Sequence, residues 1–234
     1  MDLNSRKSPF RRLVARTQAI KPDRTDLNVS LAEARQIFER MKKGEEPSEA
    51  ATSCWRDILK VRALKFQREG LAGVPPYETG KSVITVASEI ENLLKEDPKV
   101  MKQFSQLLSE TFFTKRQPKK TAPGPYYYLD LLEVDSRATF NLGAIYLKSW
   151  GDRYQIADCA YYSSSGFYAS YTLRQVWPIK IKDQNASLVW RGEFVSAPSL
   201  ADRKGIEAMA APAILLQELK KTIRAFQEDV IKAP

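Results

Sequence analysis

The chain contains no histidine in 234 residues. That absence removes imidazole as a general acid or base, Ser-His-Asp and Cys-His nucleophile pairs, and the usual mixed zinc sites. Cysteine is nearly as scarce. Cys54 and Cys159 are the two present, too few for a disulfide framework and spaced for no metal motif, so one bridge in an oxidising compartment is the only covalent option. No run approaches the roughly 18 apolar residues of a membrane span. The N-terminal stretch has no apolar core of the kind a secretory leader carries, so the chain is expected either to be cytoplasmic or to have lost a leader. A nucleotide loop is also missing. "GVPPYETGKS" at Gly73–Ser82 ends in Gly-Lys-Ser, but six residues separate Gly73 from Gly80 where a phosphate loop has four, and two of the six are prolines without an N–H. No cofactor is expected.

What is present is a core-forming composition, 43% hydrophobic and 28% charged, with a net charge of +9. The excess positive charge is concentrated in "RKSPFRRLVARTQAIKPDR" near the N-terminus and "KRQPKK" at Lys115–Lys120. Both read as solvated basic segments. Neither carries the Gly-aromatic pattern of an RNA-binding sheet or a helix-turn-helix, which argues against a nucleic-acid partner.

Residues 1–25 lack a sustained period and are expected to form a basic, poorly ordered arm. From 26 to 114 the period is helical. Ser30 is placed to cap a helix with Leu31, Ala34, Ile37, Phe38 and Met41 on one face. Pro47 or Ser48 opens a second helix, which Gly70 ends. Further helices follow in "SVITVASEIENLLKEDPKVMKQFSQLLSETFF", with Pro98 starting the later one. A Pro/Gly-rich linker over 115–125 then changes the texture to period two. "YYYLDLLEV", "ATFNLGAIYLKSW", "DRYQIADCAYY", "GFYASYTLRQVWPIKI" and "ASLVWRGEFV" are five strand candidates joined by short polar turns, the pattern of an antiparallel meander. After them Ile206, Met209, Ala213, Leu216, Leu219, Ile223, Phe226 and Val230 make the stripe of a long C-terminal helix. The expected fold is α+β: a helical N-terminal half, then over 126–234 a curved antiparallel sheet of about five strands packed on that helix, forming one compact domain with 26–114 or a separate one.

Candidate chemistry is sparse. Asp130, Glu133, Asp135, Asp152 and Asp158 lie near strand ends or faces, and alternation sets Asp130 and Glu133 on opposite faces, so they read as sheet-edge charges. Ser163–Ser165 and Cys159 are candidate nucleophiles only if a lysine serves as base. The aromatic density of the strands carries more weight. Tyr126, Tyr128, Tyr161, Tyr171, Arg174, Trp177 and Trp190 are the expected lining of a pocket between sheet and C-terminal helix.

In this order, "WRDILKVRALKFQREGLAGVPPYETG", "ASEIENLLKEDPKVMKQFSQLLSE" and "GPYYYLDLLEVDSRATFNLGAIYL" resemble a family of uncharacterised bacterial exported proteins, over about residues 50–225. That family has a Tyr-x-Ser-His-Tyr-Phe-Asp-x-Ser run. This chain keeps Tyr162, Ser164, Phe167 and Ser170, but has Ser165 for the histidine, Gly166 for the second tyrosine and Tyr168 for the aspartate. The resemblance implies export, to the periplasm or beyond, and a shared fold, with no mechanism. The C-terminal part is also similar to the helix-grip (START-like) architecture. Three roles follow as expectations. One is a non-enzymatic protein binding an apolar or lipid-like small molecule between sheet and C-terminal helix. The alternatives are a structural or interaction protein docking on a protein partner through its helical half, and a Ser- or Cys-based hydrolase with a lysine base.

Overall fold

The computed structural model describes residues 9–22, 25–79, 82–111, 124–134 and 137–198, with Arg224 alone beyond them. The chain divides into two compact units, Met1–Ala197 and Pro198–Pro234. The predicted C-terminal helix and its stripe, and the 115–125 linker except its last residues, lie outside the described residues. The first unit is α+β, with helices in the N-terminal half and an antiparallel sheet in the C-terminal half.

The helices are α1 (Pro9–Gln18), α2 (Leu31–Met41) and α3 (Pro47–Glu69); after a 3-10 turn and the small hairpin β1 (Tyr77–Thr79) and β2 (Ser82–Ile84) come α4 (Val86–Lys95), α5 (Pro98–Gln103) and α6 (Ser105–Glu110). Their ends follow local chemistry. Ser30 and Glu33 form a capping box that satisfies the first N–H groups of α2. Pro47 opens α3, and Gly70 ends it with φ of +65°, a conformation that favours glycine.

Two elements differ from the sequence reading. The expected basic arm contains α1, because Leu13 and Val14 precede Thr17 by four and three residues and all three are buried on one side. Two of its arginines form ion pairs with other parts of the fold, Arg12 with Glu133 at 2.7 Å and Arg16 with Asp26 at 2.9 Å. The stretch from Ser82 also opens as a strand, not as helix. Val83, Ile84 and Thr85 are β-branched and favour extended backbone, so α4 starts only at Val86.

The large sheet has five strands in sequence order: β3 (Tyr126–Val134), β4 (Arg137–Trp150), β5 (Arg153–Ser163), β6 (Ala169–Ile181) and β7 (Gln184–Ser196). Every neighbouring pair is antiparallel, as a meander requires. Beyond Val176 strand β6 pairs only with β7, which is where Pro178, with no N–H to give, is tolerated.

Cross-strand partners share a face, so the registers sort the sheet into two faces. The first presents Tyr127, Leu142, Ala144, Ala157, Cys159, Tyr171, Leu173, Gln175, Trp190 and Phe194. Helices pack on it. Phe66 of α3 stacks on Tyr161 with ring centroids 3.7 Å apart, Trp55 meets Phe140, and Phe104 meets Trp190. A register shift between Leu142 and Gly143 leaves Tyr161 as an extra residue in β5. The bulge turns Tyr161 and Tyr162 toward the same helix, and both are fully buried.

One buried ion pair ties the layers together. Arg62, with no exposed surface, donates to both carboxylate oxygens of Glu33 at 2.9 and 2.6 Å and to the Pro75 carbonyl at 2.8 Å. Its guanidinium lies over the Tyr162 ring at 4.4 Å. α2, α3, the segment before β1 and the sheet thus meet at one charge, whose partners offset the large cost of burying it.

Candidate functional site on the second face of the sheet

The second face is a different surface. Its residues run in rows across the strands: Tyr128, Gly143, Ala160, Ser170 and Val195; then Tyr126, Ile145, Asp158, Thr172 and Glu193; then Leu147, Ile156, Arg174 and Arg191; then Ser149, Tyr154, Val176 and Val189. Large apolar and aromatic groups stand exposed among them, Tyr126 at 63%, Val189 at 56%, Tyr154 at 48% and Leu147 at 46%.

At the centre lies a polar group of three. The Tyr128 hydroxyl donates to Asp158 Oδ1 at 2.9 Å, and an Arg174 guanidinium nitrogen stands 3.9 Å from Asp158 Oδ2. Tyr128 reaches Asp158 from two strands away because β4 has a glycine between them. A Cβ on Gly143 would fall 1.9 Å from Tyr128 Cζ, so only glycine leaves room for the ring over the strand. Burial pushes the Asp158 carboxyl above its ordinary range, with Asp130 and Glu193 adding to the rise. The Tyr128 hydrogen bond and Arg174 pull the other way without cancelling it. Burial likewise pushes the Tyr128 phenol well up, and the neighbouring Asp158 carboxylate adds to it.

Arg174 has no hydrogen-bond partner among the described residues beyond its long approach to Asp158. It also stands directly across from Arg191, a like-charge pairing that costs stability in a sheet. Arg191 is relieved by Glu193 at 2.7 Å. Arg174 therefore keeps most of its hydrogen-bonding capacity free of partners among the described residues.

The seven predicted site residues divide between the two faces. Tyr126, Tyr128 and Arg174 come together on the second face. Tyr161 and Tyr171 are buried on the first, Trp190 packs on Phe104, and Trp177 lies on the first face where β6 pairs with β7 alone. Asp158, read from sequence as a sheet-edge charge, is the residue sequence reasoning missed. Its signal was available: an acid at the phase of Ile156 and Ala160, facing Tyr128 across the glycine.

The nucleophile candidates are occupied by structure. Ser163, Ser164 and Ser165 are all fully buried. Ser163 Oγ donates to the Ser165 carbonyl at 2.7 Å, Ser164 Oγ accepts from the Phe140 N–H at 2.9 Å, and Ser165 Oγ accepts from Arg16 at 3.0 Å. Among the described residues no lysine is hydrogen-bonded to this run. The run is a bend, closed by Gly166 at φ of +86° and held by Asn28, whose amide donates to the carbonyls of Ser163 and Phe167. Both cysteines are free and buried, and burial pushes each thiol up, away from the reactive thiolate.

Elsewhere, open depressions of about 350 and 330 Å³ lie at residues 19–26 and 48–56, and neither contains a predicted site residue. Among the described residues no group of three or more cysteine, aspartate or glutamate side chains is placed to hold a metal, and no helix is long and apolar enough to cross a membrane. Comparison with protein-family models, with curated proteins and with solved structures finds no match to this chain.

Proposed function

We propose that this is a non-enzymatic binding protein that holds an apolar, lipid-like small molecule with an anionic head against the second face of the sheet. The observation that carries the reading is Arg174, a half-buried cation with unused donors set beside Asp158 and Tyr128 inside an aromatic and aliphatic surround. Arg174 receives the head, and Tyr126, Ile145, Leu147 and Tyr154 lie along the body. Resemblance to a family made with export signals supports a setting outside the cytoplasm.

The test is a titration of the full chain with a dansyl-labelled fatty acid, read by the blue shift of its emission. Arg174→Ala is expected to weaken binding about 10-fold or more, the loss of a charge-assisted hydrogen bond. Equal affinity of the variant and the parent, or no blue shift at all, overturns the proposal.

A further inference from the structure

Strands β3 and β7 are the two edges of the large sheet, and they differ in how they are protected. An edge strand carries unpaired backbone N–H and C=O groups, which folds usually blunt with lysine, proline or bulges. β7 has none of these over its 13 residues, and Leu188, Val189 and Trp190 stand exposed in succession. Its sequence is also self-complementary. Reading outward from Gly192 in both directions, Arg191 answers Glu193, Trp190 answers Phe194, and Val189 answers Val195.

We propose that β7 is the two-fold edge of a homodimer, pairing antiparallel with β7 of a second copy about Gly192 and joining the two sheets into one. In this register each strand's Arg191 stands across from Glu193 of the other copy on the second face. Trp190 stands across from Phe194 on the first face, and Val189 across from Val195. Both charge pairs form at once because a two-fold axis repeats every contact. Gly192 carries no side chain at the axis, and the Trp190 ring of its own strand lies over it, 2.6 Å from where a Cβ would stand. The charges select β7 over β3. In β3 the charged residues are Asp130 and Glu133, so self-pairing there offers no pair of opposite charges. A β3-to-β7 contact is head-to-tail and builds a ring or an open filament instead of a two-fold dimer.

The inference is tested by sedimentation velocity on the full chain over a concentration series. The parent is expected to sediment as a dimer. Arg191→Glu and Glu193→Arg each place like charges opposite one another twice across the axis, and each is expected to shift the protein to monomer. The double variant R191E/E193R restores opposite charges and is expected to restore the dimer. Both side chains are exposed, and unchanged circular dichroism verifies that the single variants fold. A monomeric parent, a parent that grows into open oligomers, a dimer indifferent to the single reversals, or a double variant that stays monomeric overturns the proposal.

Discussion

The two faces of one sheet use the same kinds of residue to opposite ends. On the first face Tyr161, Tyr162 and Tyr171 are buried, and their rings are packing material. Phe66 stacks on Tyr161, and Arg62 lies over Tyr162. On the second face Tyr126 and Tyr154 are exposed, and Tyr128 spends its hydroxyl on a carboxylate whose ionisation the protein disfavours. The first face is also where buried charge is answered on every side, as Arg62 shows. The second leaves Arg174 with donors to spare. A tyrosine or an arginine in a strand therefore says little by itself; what the opposite layer offers decides whether it is architecture or a binding group.

Arg62 carries the largest expected effect. Arg62→Ala strands the Glu33 carboxylate in the interior, and chemical denaturation is expected to show a loss of about 3–5 kcal/mol. A loss under about 1 kcal/mol would mean that the pair is not a buried structural tie. Arg174→Ala, by contrast, is expected to leave stability nearly unchanged while it lowers affinity for the probe.

A finer division separates two buried phenols of the first unit. The Tyr77 hydroxyl donates to the Tyr168 carbonyl at 3.0 Å, whereas the Tyr162 hydroxyl is buried with no hydrogen-bond partner among the described residues. Tyr77→Phe is expected to cost about 1 kcal/mol, and Tyr162→Phe to be neutral or stabilising. The same denaturation curves measure both, and a reversed order contradicts the assignment.

The smallest effect concerns pH. Because the folded state raises the Asp158 carboxyl, it holds that proton more tightly than the unfolded chain does. The resulting penalty is fully present above the folded-state pKa, shrinks as pH falls through it, and is gone below the ordinary aspartate range. Asp158→Asn removes the penalty. Thermal melts are expected to find the variant more stable than the parent near neutrality, with the gap closing on acidification. A gap independent of pH would assign it to something other than this carboxyl.

Much of the fold was legible because local chemistry set it. The cap at Ser30, the stop at Gly70 and the five alternating runs fixed elements whose bounds agree closely with the structure. Alternation defines two faces, but nothing in the period says which one the helices cover. The predicted site therefore drew Tyr126, Tyr128 and Arg174 from one face and Tyr161, Tyr171, Trp177 and Trp190 from the other. The bulge at Tyr161 compounds this, since it shifts the phase of β5 where the tyrosines lie. Arg62 was legible in principle. It occupies the buried phase of α3 with Trp55, Leu59 and Phe66, and a cation at a core position announces a buried partner.

We propose above that the second face holds a lipid-like ligand. Photo-crosslinking with a diazirine-bearing fatty acid, mapped by peptide mass spectrometry, tests it most directly. The account predicts labels on second-face residues of β3 to β7, Tyr126, Leu147, Tyr154 and Val189 foremost, and their loss in Arg174→Ala. Labels confined to first-face residues such as Tyr127 and Leu188, or a pattern unchanged by the substitution, would contradict it.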